Sequence, residues 1–209
     1  MENRYMTVKD RGIAEIVEKR SRFIATVIPI ENEAQALEFL DSTRRKYWDA
    51  THNVYAYITR ENNIERYSDD GEPSGTAGVP VLDMLKKEGL TNIAVVVTRY
   101  FGGTLLGTGG LVHAYSKSAK AGVEAAGRLE MILCDELNIE CDYSLLGKIQ
   151  NELHKWETID GYTDYSDKVK LSLYTPCEDT DRVVAGLIDA TNSNIKTSIG
   201  IRDYFPKPV

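Results

Sequence analysis

The sequence is short of the residues that build covalent or metal-held scaffolds. Cysteine occurs three times in 209 residues, at Cys134, Cys141 and Cys177. Three is odd, no pair has CxxC spacing, and no histidine stands at ligand spacing, so neither a disulfide framework nor a zinc site is expected. Reduced, mostly buried thiols are the simpler expectation. Histidine is equally scarce, with no cysteine beside one and no GxSxG elbow, which removes the common signatures of hydrolysis. No apolar run approaches the roughly 20 residues that cross a bilayer. The opening MENRYMTVKDRG has no apolar core of the kind a signal peptide carries. A cytoplasmic protein with no membrane partner is the expectation.

Positive charge is also lacking where it would grip a nucleic-acid backbone most strongly. The net charge is −7, and residues 134–209 hold 8 Lys and Arg against 14 Asp and Glu. Residues 1–133 hold 17 against 18, which leaves room for a local basic patch there. The acidic C-terminal third is a poor phosphate binder but is suited to setting orientation or contacting a protein partner.

What is present reads as two α+β domains, 1–133 and 134–209. IAEIVEK alternates apolar and polar, and FIATVIPI follows it, predicting two strands. ENEAQALEFLDSTRRKYW predicts a helix with Ala36, Leu37, Leu40 and Tyr47 on one face. NVYAYITRE and NIERYSDD predict a hairpin, SDDGEPSGTAGVP a loop, and VPVLDMLKKEGL a helix ending at Gly89. TNIAVVVTRYF reads as a central buried strand, and GLVHAYSKSAKAGVEAAG as a long helix. The remainder reads β-α-β-β-α-β, with a hairpin turn near Asp167, matching the ferredoxin-like motif.

Two stretches attract attention as chemistry. The first is TRYFGGTLLGTGGLVHAY, where Gly102, Gly103, Gly107, Gly109 and Gly110 lie between a strand and a helix. Strand, glycines and helix N-terminus together make an anion site, to which Arg99, His113, Ser116 and Lys117 would add donors. The string is neither a Walker loop nor a GxGxxG fingerprint. Tight packing is the competing account, since Ala114, Ser118, Ala121, Gly122, Ala125 and Ala126 would let the helix lie close on a sheet. The second stretch is Asp69, Asp70, Gly71 and Glu72. Three carboxylates in four residues suit Mg²⁺ or a general base, but equally a solvated turn or a pairing with Arg99. Ser74 and Thr76 are placed to cap the following helix. His52 opens a strand, where a structural hydrogen bond is the commoner role.

KRSRFIA, ATHNVYAY, YSDDGEPSGTAGVPVLDML and VVVTRYFGGTLLGTGGLVHAYS together resemble the IMPACT family, and within it the bacterial YigZ branch. The blocks fall in the family's order over roughly residues 15–120, and the C-terminal half is similar to the small domain of bacterial members. The resemblance implies an N-terminal fold like elongation factor G domain IV and a ribosomal-protein domain, and a ferredoxin-like C-terminal domain. Its motif residues map to Asp69, Asp70, Gly71, Glu72, Gly75, Thr76, Gly78 and Pro80. A second set maps to Arg99, Tyr100, Gly102, Gly103, Gly107, Gly109, Gly110 and Leu111. Two positions depart: His113 stands where relatives usually carry Arg or Lys, and Val54 where they often carry cysteine.

The resemblance implies translation regulation, by way of eukaryotic relatives, and RNA or ribosome association. The expectation is therefore a non-enzymatic module with no cofactor and no catalytic residue. Its anion-binding surface is expected to include Arg22, His52, Arg99, Tyr100, His113 and the glycines above, beside the loop Asp69–Thr76. The alternative is an enzyme acting on a small phosphorylated or peptidic compound, with an acidic-loop base or Mg²⁺.

Overall fold

The structure, a computed structural model, describes residues 3–207. It divides into one unit spanning Tyr5–Leu129 and a second made of the chain up to Arg4 and from Glu130 onward. Both are α+β.

The first unit takes in most of β1 (Arg4–Val8, whose first residue belongs to the second unit), a strand the sequence pattern does not announce. The hairpin β2 (Gly12–Glu18) and β3 (Ser21–Pro29) follows, then α1 (Glu33–Lys46). A second hairpin, β4 (His52–Thr59) with β5 (Ile64–Ser68), leads into the acidic loop and α2 (Gly78–Lys87). β6 (Ile93–Tyr100) and α3 (Thr108–Ala126) complete the unit. The sheet order is β2-β3-β6-β4-β5, antiparallel throughout.

β6 lies at the centre, and its burial explains its unbroken run of valines. Ile93, Val95 and Val97 point into one core with α2 and α3, whereas Ala94 and Val96 point into another with α1. A strand covered on both faces has no solvent side on which polar residues would be favoured. The face of α1 differs from expectation: Ala36, Phe39, Leu40 and Thr43 are buried, while Leu37 is 53% exposed. At 100° per residue, Leu37 stands about 110° from the centre of the face formed by the other four. Tyr47 falls past the last helical turn, as the C-cap.

Of the small residues of α3, Ala114, Ser118, Gly122 and Ala126 are buried, whereas Ala121 is half-buried and Ala125 faces water. A Cβ built on Gly122 would stand 2.8 Å from both the Ala25 and Val27 side chains. Gly12 meets the same last turn of that helix, where a Cβ would lie 2.3 Å from the Ala126 nitrogen and 2.5 Å from the Gly122 carbonyl.

The second unit runs β7 (Arg128–Cys141, whose first two residues belong to the first unit), α4 (Leu146–Leu153), β8 (Ile159–Tyr165), β9 (Val169–Pro176), α5 (Thr180–Ala190) and β10 (Lys196–Pro206). Its strands lie in the order β8-β9-β7-β10, all antiparallel. Leu137, Ile139, Cys141, Val169 and Leu173 face Ile149 of α4 and Val183 and Leu187 of α5. Alternation along β7 leaves Glu136, Asn138 and Glu140 only half-buried. Asp135 is buried and takes a two-pronged hydrogen bond from Arg202, with Nε at 2.6 Å and a terminal nitrogen at 3.1 Å. Thr180 donates to the same carboxylate at 2.8 Å. These donors, Arg202 first, hold the Asp135 carboxyl below its ordinary value of 3.8.

Candidate anion-binding cleft

The two motif loops meet where β6 ends and α3 begins. Their junction is an open cleft of about 420 Å³, lined by His52, Glu72, Arg99, Phe101, Leu105 and Gly107 among others. Its floor is a buried polar cluster centred on Glu72. One oxygen of Glu72 accepts from an Arg99 terminal nitrogen at 2.5 Å and from the Tyr115 hydroxyl at 2.7 Å. The Nε2 of His52 stands 3.7 Å from that same oxygen. Burial, and then the hydrogen bond to Glu72, push the Tyr115 hydroxyl's pKa far up, so it remains a donor.

Arg99 is therefore no free surface cation: it is 5% exposed and paired across 27 residues to the acidic loop. Its second terminal nitrogen donates to Ser21 Oγ at 3.3 Å. The guanidinium lies 5.4 Å from the Phe23 ring centre and 5.5 Å from that of Phe101. Its Nε is buried without a hydrogen-bond partner among the described residues. A buried donor left unpaired costs about 1–3 kcal/mol, so it is a feature to be explained.

The acidic loop turns its carboxylates inward. Asp69 accepts from the backbone N–H groups of Gly75 at 2.8 Å, Ala77 at 3.1 Å and Gly78 at 2.8 Å, so it fixes the loop and caps α2. Asp70 accepts from the Asn53 N–H at 2.6 Å and from Arg44 at 3.3 Å. The Asp70 carbonyl meets His52 Nδ1 at 2.8 Å; with the proton placed there, Nε2 is left facing Glu72. Thr76 turns its hydroxyl back to the Pro73 carbonyl at 2.7 Å rather than onto the helix. No cluster of three or more His, Cys, Asp or Glu side chains is placed for metal binding among the described residues. The Mg²⁺ and general-base expectation for Asp69, Asp70 and Glu72 thus meets carboxylates already engaged by backbone amides and by arginine.

The glycines divide between backbone and opening. Gly102 is packing: a Cβ there would stand 2.1 Å from the Arg20 backbone. Gly107 is the N-cap of α3 at φ 75°, so no side chain caps the first turn, and no acidic residue occupies it. Gly109, in that turn, has open space where a Cβ would be. Gly103 and Gly75 lie at the exposed surface, as does Gly71 beside the His52 ring, and Gly110 packs on Leu106.

Other expected site residues stand outside the cleft. Arg22 is exposed, paired with Glu15 at 2.9 and 3.0 Å, and lies over the Tyr100 ring. Tyr100 donates to Asp49 at 2.8 Å, and His113 is exposed further along α3. Sequence reasoning did not find Tyr115, Ser21, Phe101 or Leu105. Tyr115 carries no local signal, since its partner lies 43 residues away.

The Impact N-terminal domain model matches residues 19–123. The IMPACT family member YvyE of Bacillus subtilis is 41% identical over 206 residues, covering 98% of this chain and 95% of that protein. The chain belongs to the IMPACT family. YigZ, the IMPACT family member of Escherichia coli, is 32% identical over 181 residues, covering 85% of this chain and 89% of its own. A domain of unknown function, DUF1949, matches residues 139–194. A crystal structure described as that of a hypothetical protein superposes with a TM-score of 0.61 at 29% identity, covering 96% of this chain and 98% of its own. All the residues of the Glu72 cluster lie inside the IMPACT match.

Proposed function

We propose that this IMPACT family protein is a non-enzymatic, translation-associated factor of the cytoplasm that binds RNA phosphate, on the ribosome or free, in the Glu72–Arg99 cleft. The observation that carries this reading is the conjunction of an uncapped helix N-terminus, open at Gly109, with the buried, unpartnered Arg99 Nε. Backbone N–H groups at the positive pole of α3 meet the anion, and Arg99, whose charge Glu72 balances, offers its unpartnered Nε–H as a further donor. Glu72, Tyr115 and Ser21 hold that guanidinium in place. Few other cations line the cleft, so affinity is modest and the salt slope shallow.

The elongation factor G domain IV fold that the family resemblance implies for the first unit, and the β-α-β-β-α-β order of the second, favour a ribosomal setting. The acidic balance of the second unit suits a basic protein partner. An enzyme with Asp69, Asp70 or Glu72 as base or Mg²⁺ ligand is disfavoured by the donors those side chains already hold.

The test is sedimentation with ribosomes and with total RNA across a salt series, comparing the protein with Gly109→Asp. The aspartate enters open space and suits the first turn of a helix, so the fold is retained while the anion site carries a negative charge. Salt-sensitive co-sedimentation lost in the variant supports the reading. Absence of association at every salt concentration sinks it.

A further inference from the structure

Trp48 is 83% exposed, the most exposed of the large hydrophobic side chains in the described structure. It does not sit on a loose segment. Ala50 N–H donates to the Tyr47 carbonyl at 3.1 Å, closing a turn with Trp48 and Asp49 at its tip. The turn is tied down from three directions. Asn53 donates to the Tyr47 carbonyl at 3.2 Å, Tyr100 to Asp49 at 2.8 Å, and Thr51 N–H to the Arg99 carbonyl at 2.9 Å. Thr51 also accepts from the Phe101 N–H at 3.1 Å and lines the cleft, so this turn forms part of the cleft's rim.

The residues before Trp48 are Arg44, Arg45 and Lys46, at the end of α1. Asp41 engages Arg45, Asp70 engages Arg44, and Lys46 lies 4.9 Å from the Tyr47 ring centre. Arg22 and Tyr100 continue the run of cations and rings toward Phe101. An exposed indole on a turn whose backbone is fixed, directly after Arg44, Arg45 and Lys46 in the chain, is a surface for stacking a base; because the arginines are already paired with carboxylates, stacking supplies most of the hold. A duplex hides its base faces, so this surface selects single strands.

Resting on the phosphate-binding reading of the cleft, we infer that Trp48 is a base-stacking residue for single-stranded RNA that leaves the cleft along Tyr100 and the Arg44–Tyr47 segment. Pre-fixing the turn keeps the entropic cost of stacking low.

The protein has two tryptophans, Trp48 and Trp156. A Trp156→Phe protein therefore reports Trp48 alone by its fluorescence. The probe is an oligouridylate about eight nucleotides long, within the usual site sizes of single-strand binders. Saturable quenching is expected with it, and none with a polyphosphate of equal charge or with duplex RNA. Trp48→Ala, which removes a side chain that packs little, is expected to weaken oligouridylate binding by about tenfold or more, and Trp48→Phe to retain most of it.

Equal quenching by polyphosphate overturns the inference, because charge alone then explains it. So does oligouridylate binding that leaves Trp48 unquenched; if Gly109→Asp abolishes that binding, the cleft reading stands without the stacking residue. A Trp48→Ala variant that loses concentration-dependent self-association but keeps its RNA affinity also overturns it, making the turn a protein contact. No RNA binding by any form sinks both ideas.

Discussion

Replacing Glu72 by glutamine tests the central claim about the cleft, because it changes one charge and almost no volume. Arg99, 5% exposed, would keep its positive charge with no other carboxylate of the described residues paired to it. Ser21 remains at 3.3 Å as a weak acceptor, and Phe23 and Phe101 still flank the guanidinium. Breaking a buried pair from one side costs about 3–5 kcal/mol. A domain's whole stability is about 5–15 kcal/mol, so the loss would be a large share of it. Arg99→Met alone should cost a comparable amount by stranding Glu72 with the Tyr115 hydroxyl as its main donor. The double variant Glu72→Gln with Arg99→Met should cost clearly less than the sum, since an apolar chain fits between the two phenylalanines. The assay is urea unfolding of the full chain, with hydrogen exchange at the β6 amides isolating the first unit. A loss below about 1 kcal/mol for Glu72→Gln, or simple additivity in the double variant, would refute the claim that this pair holds the two loops together.

Three further outcomes follow from the same contacts. Asp69→Ala strips acceptors from the N–H groups of Gly75, Ala77 and Gly78, and should destabilise by about 1–2 kcal/mol or more, seen as faster amide exchange at the start of α2. Because the Asp135 carboxyl is held below its ordinary value of 3.8, its contribution is complete above that pH and is lost as pH falls through the depressed value. Asp135→Asn should therefore weaken the second unit at pH 7 while flattening its acid unfolding below about pH 4; an unchanged acid profile counts against this assignment. Burial pushes the Cys134 thiol up to about 11, so at pH 8 it should resist a thiol-specific disulfide reagent until the protein is unfolded.

Much of the architecture could be read from pattern because the pattern is local. The valine run of β6 and the β-α-β-β-α-β order of the second unit each depend on residues a few positions apart. Strand order does not: β6 lies between β3 and β4 because of pairings that span tens of residues. α1 shows the limit within one element, since Leu37 is apolar and helical yet faces water. At the site, the pairing of Arg99 with an acidic-loop carboxylate was one of several readings open to the sequence, and only the fold selects Glu72 among three candidates. Asp69 illustrates the reverse. It caps a helix that starts nine residues later, so no rule of local capping reaches it. Trp48 was legible as a residue but not as an exposed one, because exposure depends on what the fold leaves uncovered.

Gly122 has a consequence for evolution of the cleft. It presses α3 onto β3 at a point about 20 Å along the helix from Gly109, given a rise of about 1.5 Å per residue. The helix is seated nearer its start as well, where Leu111, Ala114 and Tyr115 are buried and the Tyr115 hydroxyl donates to Glu72. A side chain at position 122 would press on Ala25 and Val27, so the seat on β3 and the Tyr115–Glu72 contact share one rigid element. On the phosphate-binding reading proposed above, ligand fit would depend on a residue outside the cleft. Relatives could drift in what they bind while every residue of the site stays the same.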